Sequence, residues 1–493
     1  MSIFRFKCML CFVVVVLWTV ACSFSSFLPS FSATPVVVAP TPVLPSPTVT
    51  LSFGSLQAPA SPTPAVGFSV RTHPDGSLYV GDQVSLEVLP PDGFETDNKS
   101  VEVQFQGQVL GAQPFRPFGI AERQQATFFW IWDTAELSAG AHVLTFVVQP
   151  DGFSWTETFT LRPATEVPSP EPAARWESLT SDCCLIYYIT GTDAHRDLEF
   201  LVEMAEGEAE RVEAHFGVPF QERIPLTFLP RVLGHGGFAW DGVYVSYLDE
   251  NYAGGATRQV IHHEMVHWLD ARQGGDLRPS ILVEGLAVYL SGGHFKEEPI
   301  LPRAAALLDL NWYIPLRELT DAFYTSQHEI GYLQAAALVA YLIKTFGWER
   351  FDDFYRDIHP AADGKQSSAL EIALQKHFGL RLEALEADFL VFLRAQDVDD
   401  AHRADIRLTV AFYDTLRRYQ QRFDPSAYFL SAWLPDIAEM RRRGIVADLL
   451  RRPRAPINQK IEGLLIAADV ALRAGDYAAT ESLLRQVMTL LEQ

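Results

Sequence analysis

Histidine, glutamate and histidine fall at positions 263, 264 and 267, within Ile261-His262-His263-Glu264-Met265-Val266-His267. Residues four apart lie on one face of an α-helix, so in a helix His263 and His267 point their imidazoles at one ion. Zinc takes neutral imidazole nitrogens at about 2.0–2.1 Å and prefers four ligands, which leaves room for a third protein donor and a water. Glu284, in Val283-Glu284-Gly285-Leu286-Ala287-Val288-Tyr289, supplies that third donor. Glu264 is rotated about 100° from His263 on the helix and reaches the water without ligating the metal. Zinc lowers the pKa of such a water from 15.7 toward roughly 7, and the carboxylate takes its proton. The expected site is one Zn2+ per chain on His263, His267 and Glu284, with Glu264 as general base.

Two helices must carry these residues. Thr257, after Gly254-Gly255-Ala256, is the expected N-cap of the first, and Arg272-Gln273-Gly274-Gly275 gives it a basic last turn and a glycine stop. Pro279-Ser280 opens the second and Ser291-Gly292-Gly293 closes it. Its apolar residues Ile281, Leu282, Leu286, Ala287 and Leu290 suit packing against the first. His262 adjoins His263 and points off the ligand face. His235, His294 and His328 are further histidines with a place in the cleft, each with a surface or hydrogen-bonded role as the ordinary reading.

These motifs resemble the gluzincin metallopeptidases, most closely the bacterial peptidase-MA-like domains and more distantly the aminopeptidases of the same clan. The match is His263-Glu264-Met265-Val266-His267, sixteen residues, then Glu284 in a Glu-Gly-Leu-Ala-x-Tyr context. The resemblance spans about residues 175–395. It implies zinc on His263, His267 and Glu284, Glu264 as base, and a tyrosine fifteen residues before a glycine as oxyanion donor. Tyr332 precedes Gly347 by fifteen, and Tyr324 is the runner-up. Three departures stand out. Val283 occupies a position where many relatives carry asparagine. The Gly-x-Met-Glu-Asn exopeptidase signature is absent, its place taken by Gly236-Gly237-Phe238-Ala239-Trp240-Asp241-Gly242. No carboxylate that orients the histidines stands out; Asp270 and Asp276 are candidates that read as solvated surface charges.

The chain has 493 residues, enough for about three domains, and its 48% apolar content suits packed cores. A net charge of −22 argues against a nucleic-acid partner. Residues 1–22 read as an export signal: Arg5 and Lys7 precede an apolar run from Met9 to Val20. Thr19-Val20-Ala21-Cys22 resembles a bacterial lipobox, with Thr19 in place of the usual leucine. That resemblance implies a lipid anchor to the membrane through Cys22; secretion after ordinary cleavage, or an uncleaved anchor, are the alternatives. All place the rest outside the cytoplasm. Cys183 and Cys184 read as two neutral core or edge residues in preference to a vicinal disulfide.

Residues 23–66, with nine prolines, read as an extended linker. Residues 67–163 alternate as strands, for example Val84, Leu86, Val88 and Val101, Val103, Phe105, with turns at Asp75-Gly76, Asp92-Gly93 and Asp151-Gly152. They resemble an immunoglobulin-like β-sandwich, read as a spacer or binding module. Residues 164–174 form a second linker. By the same resemblance, residues 175–398 are expected to form an α+β, thermolysin-like gluzincin domain, with strands at 185–189, 226–229 and 243–247. Its helices are expected near 196–216, 301–308, 331–346, 348–357 and 381–395. Residues 399–493 are an all-α region whose Ala471–Ala479 stretch resembles a tetratricopeptide junction; a helical cap on the peptidase is the simpler reading. Arg441, Arg442, Arg443, Arg451, Arg452 and Arg454 read as a solvated basic helix face.

The expected activity is zinc-dependent hydrolysis of a peptide or protein substrate at the cell surface. Two rivals are a non-enzymatic surface scaffold lipoprotein with a degenerate peptidase domain, and a zinc hydrolase acting on something other than a peptide. The sequence leaves the oligomeric state open.

Overall fold

The computed structural model describes residues 67–234, 236–294 and 296–493. The leader with Cys22, the linker 23–66 and His235 lie outside the described residues.

The N-terminal β module has two sheets around one core. One runs Ser69–His73, Gln83–Leu89, Arg123–Asp133, Arg116–Phe118; the other runs Leu78–Tyr79, Phe153–Arg162, Gly140–Gln149, Ser100–Phe105, Gln108–Pro114. Alternation selects the inner residues: Val84, Leu86 and Val88 from the first sheet meet Val101, Val103, Leu144 and Phe146 from the second. The outer face departs from what alternation predicts. Ser85 and Glu87 are buried too, because residues of the C-terminal tail cover that face. There His73 bonds Glu87 at 2.9 Å and stacks on Trp433 at 3.7 Å.

The central domain holds a five-stranded mixed sheet in the order Trp176–Thr180, Cys184–Ile189, Ile224–Leu229, Val243–Ser246, Gly237–Ala239. The middle three strands are parallel and the two edges antiparallel. Helix Leu198–Phe216 makes the crossover between the first parallel pair. The strands Trp176–Thr180 and Gly237–Ala239, and the helices Leu316–Asp321 and Gln366–Phe378, add to the elements expected from the sequence. Cys183 and Cys184 form a vicinal disulfide at the start of a strand, correcting the reading as two separate thiols.

Both motif helices form, with boundaries moved slightly. The first spans Thr257–Asp270, with Ala256 and not Thr257 in the cap position and no side-chain cap. The second spans Ser280–Ser291 and ends in left-handed Gly292. It lies on the long helix His328–Phe346. A Cβ on Gly285 would sit 2.6 Å from the Ala335 carbonyl oxygen, so the absence of a side chain there sets the close approach. Ile261, Met265, Leu286, Ala287, Ala335, Val339 and the sheet residues share one core.

The C-terminal region is helical as expected: Asp400–Phe423, Ile437–Arg443, Ala447–Leu450, Pro456–Arg473 and Tyr477–Leu491. The last two form a hairpin on Asp400–Phe423 around Phe412, Leu416, Ile461, Leu465 and Val487. It is the one such hairpin in this region among the described residues. Of its clustered arginines, Arg442, Arg443 and Arg454 are exposed as expected, but Arg451 and Arg452 are not part of a solvated face. Arg451 and Arg452 are buried; Arg451 grips Asp82 of the β module at 2.6 and 2.8 Å and Glu171 at 2.8 Å. Arg231, 1% exposed, bonds Ser426 at 2.6 Å, Asp75 at 3.2 Å and the Asp448 carbonyl at 3.0 Å. Trp130, Leu229, Tyr244, Met440 and Leu449 add an apolar core shared by module, sheet and tail. The tail therefore joins the β module to the central domain. Among the described residues no single helix is long and apolar enough to cross a membrane.

Candidate metal centre

The motif helix is buried along most of its length, which fixes where its polar residues point. Ile261, Met265, Val266 and Leu269 face the core. His262 turns away from the cleft and bonds Glu208 on Leu198–Phe216 at 3.0 Å. His263 and His267 turn toward Glu284 on the neighbouring helix. Their Nε2 atoms lie 2.9 Å apart, and Glu284 Oε2 lies 3.3 Å from His263 Nε2 and 3.2 Å from His267 Nε2.

Three donor atoms thus form a near-equilateral triangle. Ligands of a tetrahedral zinc at about 2.0–2.1 Å sit roughly 3.3 Å apart, so the donor set and its spacing fit that ion. All three side chains are largely sheltered, with 10–16% of each exposed on one side. Burial pulls His263 down to about 4, keeping it a neutral donor. Burial would lower His267 as well, but the Glu284 carboxylate beside it raises it to about 9. Glu284, despite a burial that alone would raise it, is held well below the usual carboxylate range by the His267 charge. Without an ion this is a protonated His267 facing an ionised Glu284, and a dication displaces that proton.

Glu264 sits beside the triangle. Burial pushes its carboxyl up to about 8, against the pull of the His267 charge. The edge strand Gly237–Ala239 runs directly over it: a Cβ on Gly237 would meet Glu264 Oε1 at 2.8 Å and Val260 Cγ1 at 2.5 Å. The glycine-rich stretch 236–242 therefore contains the strand that roofs the candidate base. It is the last strand of the sheet, and Trp240 at its end is 80% exposed.

Both candidate tyrosines reach the cleft, in different ways. The Tyr324 hydroxyl donates to Glu284 Oε1 at 2.7 Å, leaving Oε2 for the histidines. Tyr332 is buried, stacks on His294 at 4.2 Å, lies 4.2 Å from His328, and has its ring 6.5 Å from that of His263. Burial raises both phenols, leaving them protonated donors.

Asp270 is not a surface charge. It is 1% exposed and bonds Arg278 at 2.8 Å, Tyr355 at 2.9 Å and Arg356 at 2.7 Å; its charge also helps to raise His267. Asp276 does stand in solvent, paired with His359 at 2.7 Å. Sequence reading missed Tyr324 as the group that orients Glu284, and Gly237 as the roof. Neither carries a local signal, since each acts across the fold.

No family model and no curated protein matches this chain. Among solved structures, an aminopeptidase N family protein from Idiomarina loihiensis aligns at 10% identity and a TM-score of 0.29, covering 67% of this chain and 77% of that one. A likeness at that score says nothing of fold or chemistry.

Proposed function

We propose that this chain is a zinc-dependent peptidase acting outside the cytoplasm, tethered through Cys22. The observation that carries the proposal is the convergence of His263, His267 and Glu284 within 3.3 Å, with buried Glu264 beside them. A bound zinc supplies Lewis acidity and a lowered pKa for water. His263 and His267 hold it as neutral imidazoles, and Tyr324 keeps Glu284 turned toward it. Glu264 accepts a proton from water and later delivers it to the leaving amine. Burial raises its pKa above the ordinary carboxylate value, which suits a group that must both take and return a proton. The Tyr332 phenol donates to the carbonyl oxygen as negative charge develops there. A peptide suits the cleft because the open edge of Gly237–Ala239 offers backbone hydrogen bonds to an extended strand, and Trp240 offers it an apolar face.

The test pairs metal content with turnover on a mixed peptide library, using the full chain. Wild type should carry zinc at this site and cleave. Glu284→Ala should lose that zinc and all cleavage. A folded wild type that stays metal-free after zinc is supplied would sink the proposal and favour a scaffold role.

A further inference from the structure

A second group of two histidines and one carboxylate lies next to the first. The chain turns at Gly292-Gly293 as it leaves the helix that carries Glu284, and this turn delivers His294 back toward the cleft. His328 and Glu329 open the long helix His328–Phe346 that supports the same wall. Glu329 Oε1 lies 3.0 Å from His294 Nδ1 and 3.0 Å from His328 Nδ1. One donor atom from each of the three residues lies within 4.8 Å of the others. His328 and Glu329 are 2% and 3% exposed, while His294 keeps a solvent-facing edge. The His294 ring is 5.9 Å from that of His263, and the Tyr332 ring stacks against it.

We propose that His294, His328 and Glu329 bind a second divalent cation of the zinc, cobalt or manganese class. The donor set repeats that of the first site, and two imidazoles with one carboxylate suit those ions. Two imidazole nitrogens converge on a single buried carboxylate oxygen, the arrangement also seen at His263, His267 and Glu284. The second cluster takes His294 from the turn that closes the Glu284 helix and His328 and Glu329 from the long helix beside it, and the two clusters share no residue. Arg303 and Arg417 are nearby cations whose charges couple to Glu329, and they are the competitors that a metal must outweigh. The rival arrangement is a metal-free hydrogen-bonded triad that holds the Tyr332 ring.

Elemental analysis of the full chain, stripped by chelator and reloaded with Zn2+, separates these. Wild type should hold two equivalents. Glu329→Gln and His294→Ala should each hold one, Glu284→Ala should hold one, and Glu284→Ala combined with Glu329→Gln should hold none. His294 lies in a partly exposed loop, so His294→Ala keeps the test open if Glu329→Gln fails to fold. One equivalent in wild type, lost in Glu284→Ala but kept in Glu329→Gln and His294→Ala, would overturn the second site and leave the peptidase reading standing. One equivalent kept in Glu284→Ala but lost in His294→Ala would uphold the second site and remove the first. No metal in folded wild type would overturn both.

Discussion

Two clusters of buried charge organise this molecule, and they are built on opposite logic. At the junction of β module, sheet and tail, positive charge is locked onto negative charge. Arg231 lies between Asp75 and Asp424, and Arg451 between Asp82 and Glu171. In the cleft, Glu284 is met instead by two imidazoles and a phenol, with their donor atoms aimed at one another. Arginine keeps its proton, so Arg231 and Arg451 stay charged and serve as a clamp. Imidazoles can give up theirs, so the cleft can exchange protons for a metal ion. Similar burial therefore fixes charge in one place and leaves it exchangeable in the other.

The sharpest way to break this comparison is Glu264→Gln. The amide keeps the shape but accepts no proton, so peptide turnover should fall by at least about 10³-fold. Zinc content and thermal stability should stay at wild-type levels. Full activity would remove Glu264 from the reaction.

Arg231→Met tests the other cluster. Removing one partner of a buried pair leaves uncompensated charge and costs about 3–5 kcal/mol. Urea unfolding should show that loss, while the folded fraction keeps its zinc. An unchanged midpoint would mean the junction is not a clamp.

Asp448 sharpens the contrast through pH. It is fully buried in the tail segment, and burial pushes its carboxyl up to about 6. Its folded value exceeds the unfolded one, about 3.9, so folding favours the protonated acid. Its contribution is neutral below about pH 4, and stability falls as pH rises through about 6. Asp448→Asn should remove that fall and gain up to about 3 kcal/mol at pH 8, with little gain at pH 4. Equal gains at both pH values would contradict the assignment.

The smallest effect belongs to Tyr324→Phe. It frees Glu284 Oε1 without removing a ligand, so zinc affinity should weaken about 10–100-fold. Chelator competition reads this directly, and an unchanged affinity would deny Tyr324 its orienting role.

The reach of the sequence is uneven in the same two regions. The motif helices were legible because helical spacing alone puts His263 and His267 on one face, and Ser280–Ser291 carried its own start and stop signals. The inner face of the β module was legible because strands alternate, as Val84, Leu86 and Val88 do. Its outer face was not: Ser85 and Glu87 look solvated until the tail covers them. The arginines at 451 and 452 look solvated for the same reason, since their carboxylate partners Asp82 and Glu462 carry no mark of pairing along the chain. Asp270 is a further case, bonded to an arginine and a tyrosine some 85 residues away. Helix and strand periodicity act over a few positions, so residue order alone sets which side chains share a turn or a face. That Tyr324 turns Glu284, that Gly237 roofs Glu264 and that the tail clamps the module follow from tertiary packing alone. Those contacts join segments far apart in the chain, and what selects them is the packing of whole elements.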